Sequence, residues 1–110
     1  MQEEDRSMLF AIKYHPRSGR TEAESQRVRA LLMAWEPPST VEVRHHFHYV
    51  SGGGVVIVDT EIPAALYESM APFKPLVEFD VEPVVNVIEA LAISLDVEEW
   101  AASVNGGSKV

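Results

Sequence analysis

Apolar stripes at helical spacing, strand-length apolar or alternating runs, and the order strand, helix, strand, strand, helix, strand predict an α+β fold. That order is the split βαβ signature of the ferredoxin-like type, here with an added C-terminal helix. The chain has 110 residues, enough for one core, so a single domain over 1–110 is expected, with 1–7 and 104–110 as flexible ends.

The first strand is read at Met8 to Tyr14, a short apolar run ending at His15 and Pro16. Apolar residues occur on both of its parities, which predicts burial of both faces. Thr21 followed by Glu24 has the capping-box spacing for a helix start. Val28, Leu31, Leu32 and Trp35 then fall at i, i+3, i+4 and i+7, and Pro37 and Pro38 close the helix.

Thr40 to Val50 alternates. Val41, Val43, His45, Phe47 and Tyr49 share one parity, whereas Glu42, Arg44, His46, His48 and Val50 share the other. Ser51 to Gly54 forms a hairpin turn into Val55 to Asp59, a strand apolar on both parities. This glycine run is no phosphate loop, because it lacks the lysine and the following helix.

Thr60 and Pro63 open a second helix carrying Leu66, Met70 and Phe73, and Pro72 and Pro75 end it. In Leu76 to Val85 the acids Glu78, Asp80 and Glu82 alternate with Val77, Phe79 and Val81. Pro83 has no N–H for a ladder and marks an edge strand. Asn86 caps the last helix, with Glu89 repeating the cap spacing and Ile88, Leu91, Ala92 and Leu95 pointing inward.

Composition narrows the classes of function. Nine basic and seventeen acidic residues give a formal charge of −8. The halves differ, because residues 1–55 hold seven of each sign and residues 56–110 hold two basic and ten acidic ones. Nucleic acid and membrane surfaces are therefore not expected partners. No cysteine is present, which removes disulfides, thiolate catalysis and cysteine metal sites. Neither a signal pattern nor a membrane-spanning apolar run is seen, so a cytoplasmic location is expected.

In the ferredoxin-like arrangement, with strand order 4-1-3-2, helices cover one sheet face and leave the other bare. Central strands apolar on both faces need that bare face hidden, and a homodimer packed sheet against sheet hides it as a closed eight-stranded barrel. In it, Arg44, His46 and His48 of one chain would approach Glu78, Asp80 and Glu82 of the other.

Four stretches carry a family resemblance: Ala34-Trp35-Glu36-Pro37-Pro38, His46-Phe47-His48-Tyr49, Pro63-Ala64-Ala65-Leu66-Tyr67 and Pro83-Val84-Val85-Asn86. Over about residues 8–95 the chain resembles the domain of unknown function 3303 family. The resemblance implies a small bacterial protein with the dimeric α+β barrel fold and supplies no chemistry, since the family has no established activity. Two positions depart from its pattern: His45, where a small residue is more familiar, and Asn86, where Asp is common.

His46 and His48 are the sharpest candidates. Two residues apart on a strand, their side chains share one face about 7 Å apart and could reach one ion. With Glu78 and Asp80 (or Glu82) they make a set suited to a divalent metal. Against this stands a metal-free cleft lined by Tyr14, Arg44, His46 and His48, in which a histidine near neutral pKa could also move protons. A second polar cluster, Tyr14, His15 and Arg17, closes the first strand.

Three readings remain open at this level. The leading one is a homodimeric domain binding a small, partly apolar molecule in the barrel cleft. The others are a small-barrel enzyme, a cofactor-independent or metal-assisted oxygenase or isomerase, and a structural or regulatory dimer without ligand. Whether any cofactor is used, and which residues would be catalytic, stays unassigned.

Overall fold

The computed structural model describes residues 6–108. Its elements run β1 (Met8–Pro16), α1 (Glu22–Ala34), β2 (Val41–His48), β3 (Gly54–Thr60), α2 (Ala64–Met70) with a following 3-10 turn (Ala71–Phe73), β4 (Val77–Val84) and α3 (Val87–Ser108). The four strands form one antiparallel sheet in the order β2-β3-β1-β4. This is an α+β architecture compatible with the ferredoxin-like arrangement. Residues 1–5, 109 and 110, part of the expected flexible ends, lie outside the described residues. α3 continues to Ser108, past Val104, where the sequence suggests a frayed tail.

Helix α1 starts as its cap predicts. Thr21 Oγ1 accepts from the Glu24 N–H at 3.1 Å, and Glu24 Oε1 accepts from the Thr21 N–H at 2.8 Å. Two backbone donors that the helix itself cannot satisfy are thereby paired. Val28 is buried, and Leu31, Leu32 and Trp35 pack beside it on the core. In α2, Leu66 is buried and the 3-10 turn that follows buries Phe73. Thr60, expected as the opener of that helix, instead ends β3, where its hydroxyl donates to the Thr40 carbonyl and accepts from the Ile62 N–H.

The core lies between one sheet face and these helices. It gathers Phe10, Ile12 and Tyr14 of β1, Val56 and Val58 of β3, Val41 and Val77 from the edge strands, and Val28, Leu66 and Phe73 above them. On the opposite face, Leu9, Ala11, Val55 and Ile57 are only half-buried and Lys13 and His15 are exposed. Within one chain the central strands are therefore buried on one face, not on both. The apolar residues of their second parity lie on the uncovered side.

Strand β2 departs from its predicted faces. Its pairing with β3 shifts by one residue between Val43 and His45, a bulge at Arg44. Because side chains alternate with period two, one extra residue exchanges the faces of everything beyond it. Val43 pairs with Val58, His46 with Val56 and His48 with Gly54, whereas His45 pairs with Ile57 and Phe47 with Val55. His46 and His48 thus join Val41 and Val43 on the helix side. Arg44, His45 and Phe47 stand on the bare side, the reverse of simple alternation for His45 through His48.

Strand β4 is an edge, with Pro83 opposite Phe10. Its acids face away from the helices, since Glu82 pairs with Ala11, Asp80 with Lys13 and Glu78 with His15. The last helix also departs from expectation. Asn86 Oδ1 accepts from the Ile88 N–H at 2.8 Å, as a cap should. Yet Ile88, Leu91 and Leu95 do not point inward: they are 69%, 56% and 61% exposed. The core includes none of them, and α3 keeps its large apolar residues exposed.

Candidate functional site

A half-open cavity of about 40 Å³ lies between the sheet and α1, α2 and the 3-10 turn. Its walls include Ile12, Val28, Leu32, Met70, Phe73 and Phe79 together with the rings of Tyr14, His46 and Trp35, and the surface they present to it is apolar. A void of this size takes water or a small molecular group. The apolar walls favour the latter.

The Tyr14 hydroxyl and His46 Nε2 lie 2.7 Å apart, and their rings meet edge to face at 5.7 Å. The local sequence explains how they meet. Tyr14 pairs with Gly54 across β1 and β3, and Gly54 pairs with His48 across β3 and β2. A Cβ on Gly54 would come within 2.5 Å of the Tyr14 hydroxyl oxygen. The missing side chain is what lets the phenol lie across β3 and reach the next strand. His46 is turned toward it only because the bulge at Arg44 reverses the faces of β2.

Burial holds the Tyr14 phenol above its ordinary pKa, with a smaller contribution from Tyr49. Partial burial of the His46 ring holds its pKa below the usual histidine value, and the neighbouring His48 adds to this. Both shifts favour a neutral pair at neutral pH, with the phenol donating and the imidazole accepting. Trp35 packs edge-on against His46, ring centres 6.2 Å apart. Its indole Nε1 is buried with no hydrogen-bond partner among the described residues, a costly arrangement for a donor.

The sequence candidates separate into two groups. Tyr14 and His46 are brought together, with His48 next to them on the same face. Arg44 is not part of this cluster: on the bare face its guanidinium donates to Asp59 at 2.7 Å and lies 3.6 Å from Glu42. Glu78 and Asp80 stand on β4, at the opposite edge and the opposite face from His46 and His48. One chain does not bring that four-residue metal set together, and no cluster of three or more ligating side chains occurs among the described residues. In the second polar cluster, His15 pairs with Glu78 at 2.9 Å on the bare face and Arg17 donates to the Lys74 carbonyl, so neither joins Tyr14.

Sequence reading assigned Trp35 to the core and Gly54 to a turn, and so passed over both as site residues. The structure ends the turn before Gly54, which makes it the first residue of a central strand, where glycine marks a close approach. For Trp35 only the cavity reveals the unpaired N–H.

The family model described as Domain of unknown function (DUF3303) matches residues 8–98. No curated protein and no solved structure matches the chain.

Proposed function

The chain belongs to the family described as Domain of unknown function (DUF3303), and on that premise we propose that it is a homodimeric ferredoxin-like domain binding a small, partly apolar molecule in the cavity of Tyr14, Trp35 and His46. One observation carries the reading: an apolar pocket holds a coupled Tyr14–His46 pair and a buried indole N–H without a partner. Apolar walls contribute the affinity in such a site. The ligand chemistry that fits is a compact apolar body, or the apolar end of a larger molecule. The site lies between sheet and helices, not in the space enclosed by two sheets, and Arg44 plays no part in it.

A second reading is favoured by the same pair. A neutral phenol hydrogen-bonded to a neutral imidazole can lend and take back a proton, the requirement for an isomerase-type reaction without cofactor. The bare sheet face supports the dimer, since Leu9, Ala11, Val55 and Ile57 there are only half-buried among the described residues.

The test is nuclear magnetic resonance titration with dissolved xenon, an apolar probe suited to small apolar cavities, followed at the Trp35 indole N–H and the His46 ring. Saturable shifts at both positions are expected, lost in a Leu32→Phe variant that fills the cavity. A protein whose Trp35 and His46 signals do not move at ligand concentrations up to about 1 mM, the weak end of specific binding, would overturn the reading.

A further inference from the structure

Helix α3 has 22 residues and is therefore about 33 Å long. Almost every large apolar residue on it is exposed, among them Ile93 at 59%, Val97 at 54% and Trp100 at 66%. At 100° per residue these form two stripes. Ile88, Leu91 and Leu95 fall within about 60° of arc, and Ile93, Val97, Trp100 and Val104 within about 60° on the opposite side. Glu89, Asp96 and Glu99 separate the stripes along one flank, and Ser94 and Glu98 along the other. A helix apolar on two opposite sides is built to be buried between two surfaces.

We infer that α3 is an intermolecular clasp, with each protomer's helix lying against a second copy of the chain. The inference rests on the homodimer proposed above and specifies what completes it. The bare sheet face is four strands wide and about eight residues long, roughly 19 by 26 Å or about 500 Å². A stable interface needs about 800 Å² from each partner. α3, about 33 Å long and 10 Å across, supplies about 300 Å² more, so sheet and helix together reach a size that neither reaches alone.

Charge speaks against a membrane as the occupant. An anionic membrane surface would meet the four acids of α3, and repel them. Among the described residues, no helix is long and apolar enough to cross a membrane.

Sedimentation of the full chain tests this, alongside two double variants, Leu91→Glu with Leu95→Glu and Val97→Glu with Trp100→Glu. All four side chains are exposed in the protomer, so its circular dichroism should not change. The wild type is expected to be a dimer at micromolar concentration, and each double variant to dissociate at least about tenfold more readily, as loss of buried anchors does. In a Trp35→Phe background, Trp100 fluorescence should shift to the red on dilution as the dimer parts. A wild-type monomer would overturn both the dimer and the clasp. A dimer equally tight in both double variants, or variants that lose protomer stability without loss of dimer affinity, would overturn the clasp alone and leave the dimer standing.

Discussion

At the scale of single residues, the site depends on Gly54 as much as on the groups that carry chemistry. A methyl group there would meet the Tyr14 hydroxyl and the Phe47 carbonyl, both at 2.5 Å. A Gly54→Ala variant is therefore expected to displace the phenol, separate it from His46 and destabilise the domain by about 1–3 kcal/mol, the usual cost of overpacking. Near-ultraviolet circular dichroism and chemical denaturation would read the two effects. An unchanged tyrosine signal with unchanged stability would refute this account of how the pair is positioned.

His46 also sets a pH dependence. Its pKa is lowered in the folded chain, first by burial and then by the His48 charge, so the unfolded chain takes up the proton first as pH falls. The contribution to stability is complete above the ordinary histidine value of about 6.5 and declines as pH drops below it. Tyr14, His48 and Trp35 surround the ring, and none of them offers a negative charge at neutral pH to offset the change. The loss in denaturation midpoint between about pH 7 and pH 5 should be smaller in a His46→Gln variant than in the wild type; equal losses would show that His46 is not the group responsible.

At the scale of elements, local signals and long-range pairing contributed differently. The start of α1 was legible because a capping box is a contact between residues three apart, and both of its bonds form. Replacing Thr21 by Ala removes one of them and should lower stability by about 1 kcal/mol, measured by denaturant titration. A loss below about 0.3 kcal/mol would mean the cap is replaced by water at little cost. Strand β2 was legible as a strand, but its faces were not. Alternation carries across Val41 to Tyr49 on paper, and nothing in that run marks Arg44 as the bulged residue. The salt bridge from Arg44 to Asp59, on the neighbouring strand, accompanies the bulge and belongs to the pairing of two strands. The clustering of His46 with Tyr14 instead of with β4 follows from that single shift.

At the scale of the whole molecule, two apolar surfaces are left without full cover among the described residues: the second face of the sheet and both sides of α3. The shape records this, with extents of 69 × 40 × 21 Å for a chain of 110 residues. A compact domain of this length would have a radius of gyration of about 13 Å, against the 19.7 Å observed, because α3 projects from the body. The apolar parity of β1 and β3 had implied that something must hide the bare face, and Leu9, Ala11, Val55 and Ile57 are indeed on the side the helices leave uncovered. What it missed was α3, whose Ile88, Leu91 and Leu95 were assigned to the protomer's own core by a stripe that says only which residues share a side.

By itself, the sequence determined the order of elements, the edge position of β4 through Pro83, the caps at Thr21 and Asn86, and the apolar identity of both faces of the central strands. These rest on contacts a few residues apart or on side-chain chemistry that does not depend on a partner. Only the tertiary structure decided which face His46 occupies, that Gly54 makes room for Tyr14, that Trp35 keeps an unpaired N–H, and that α3 keeps its apolar residues exposed. Each of those turns on strand register or on the space left between packed elements, and both depend on residues far apart in the chain.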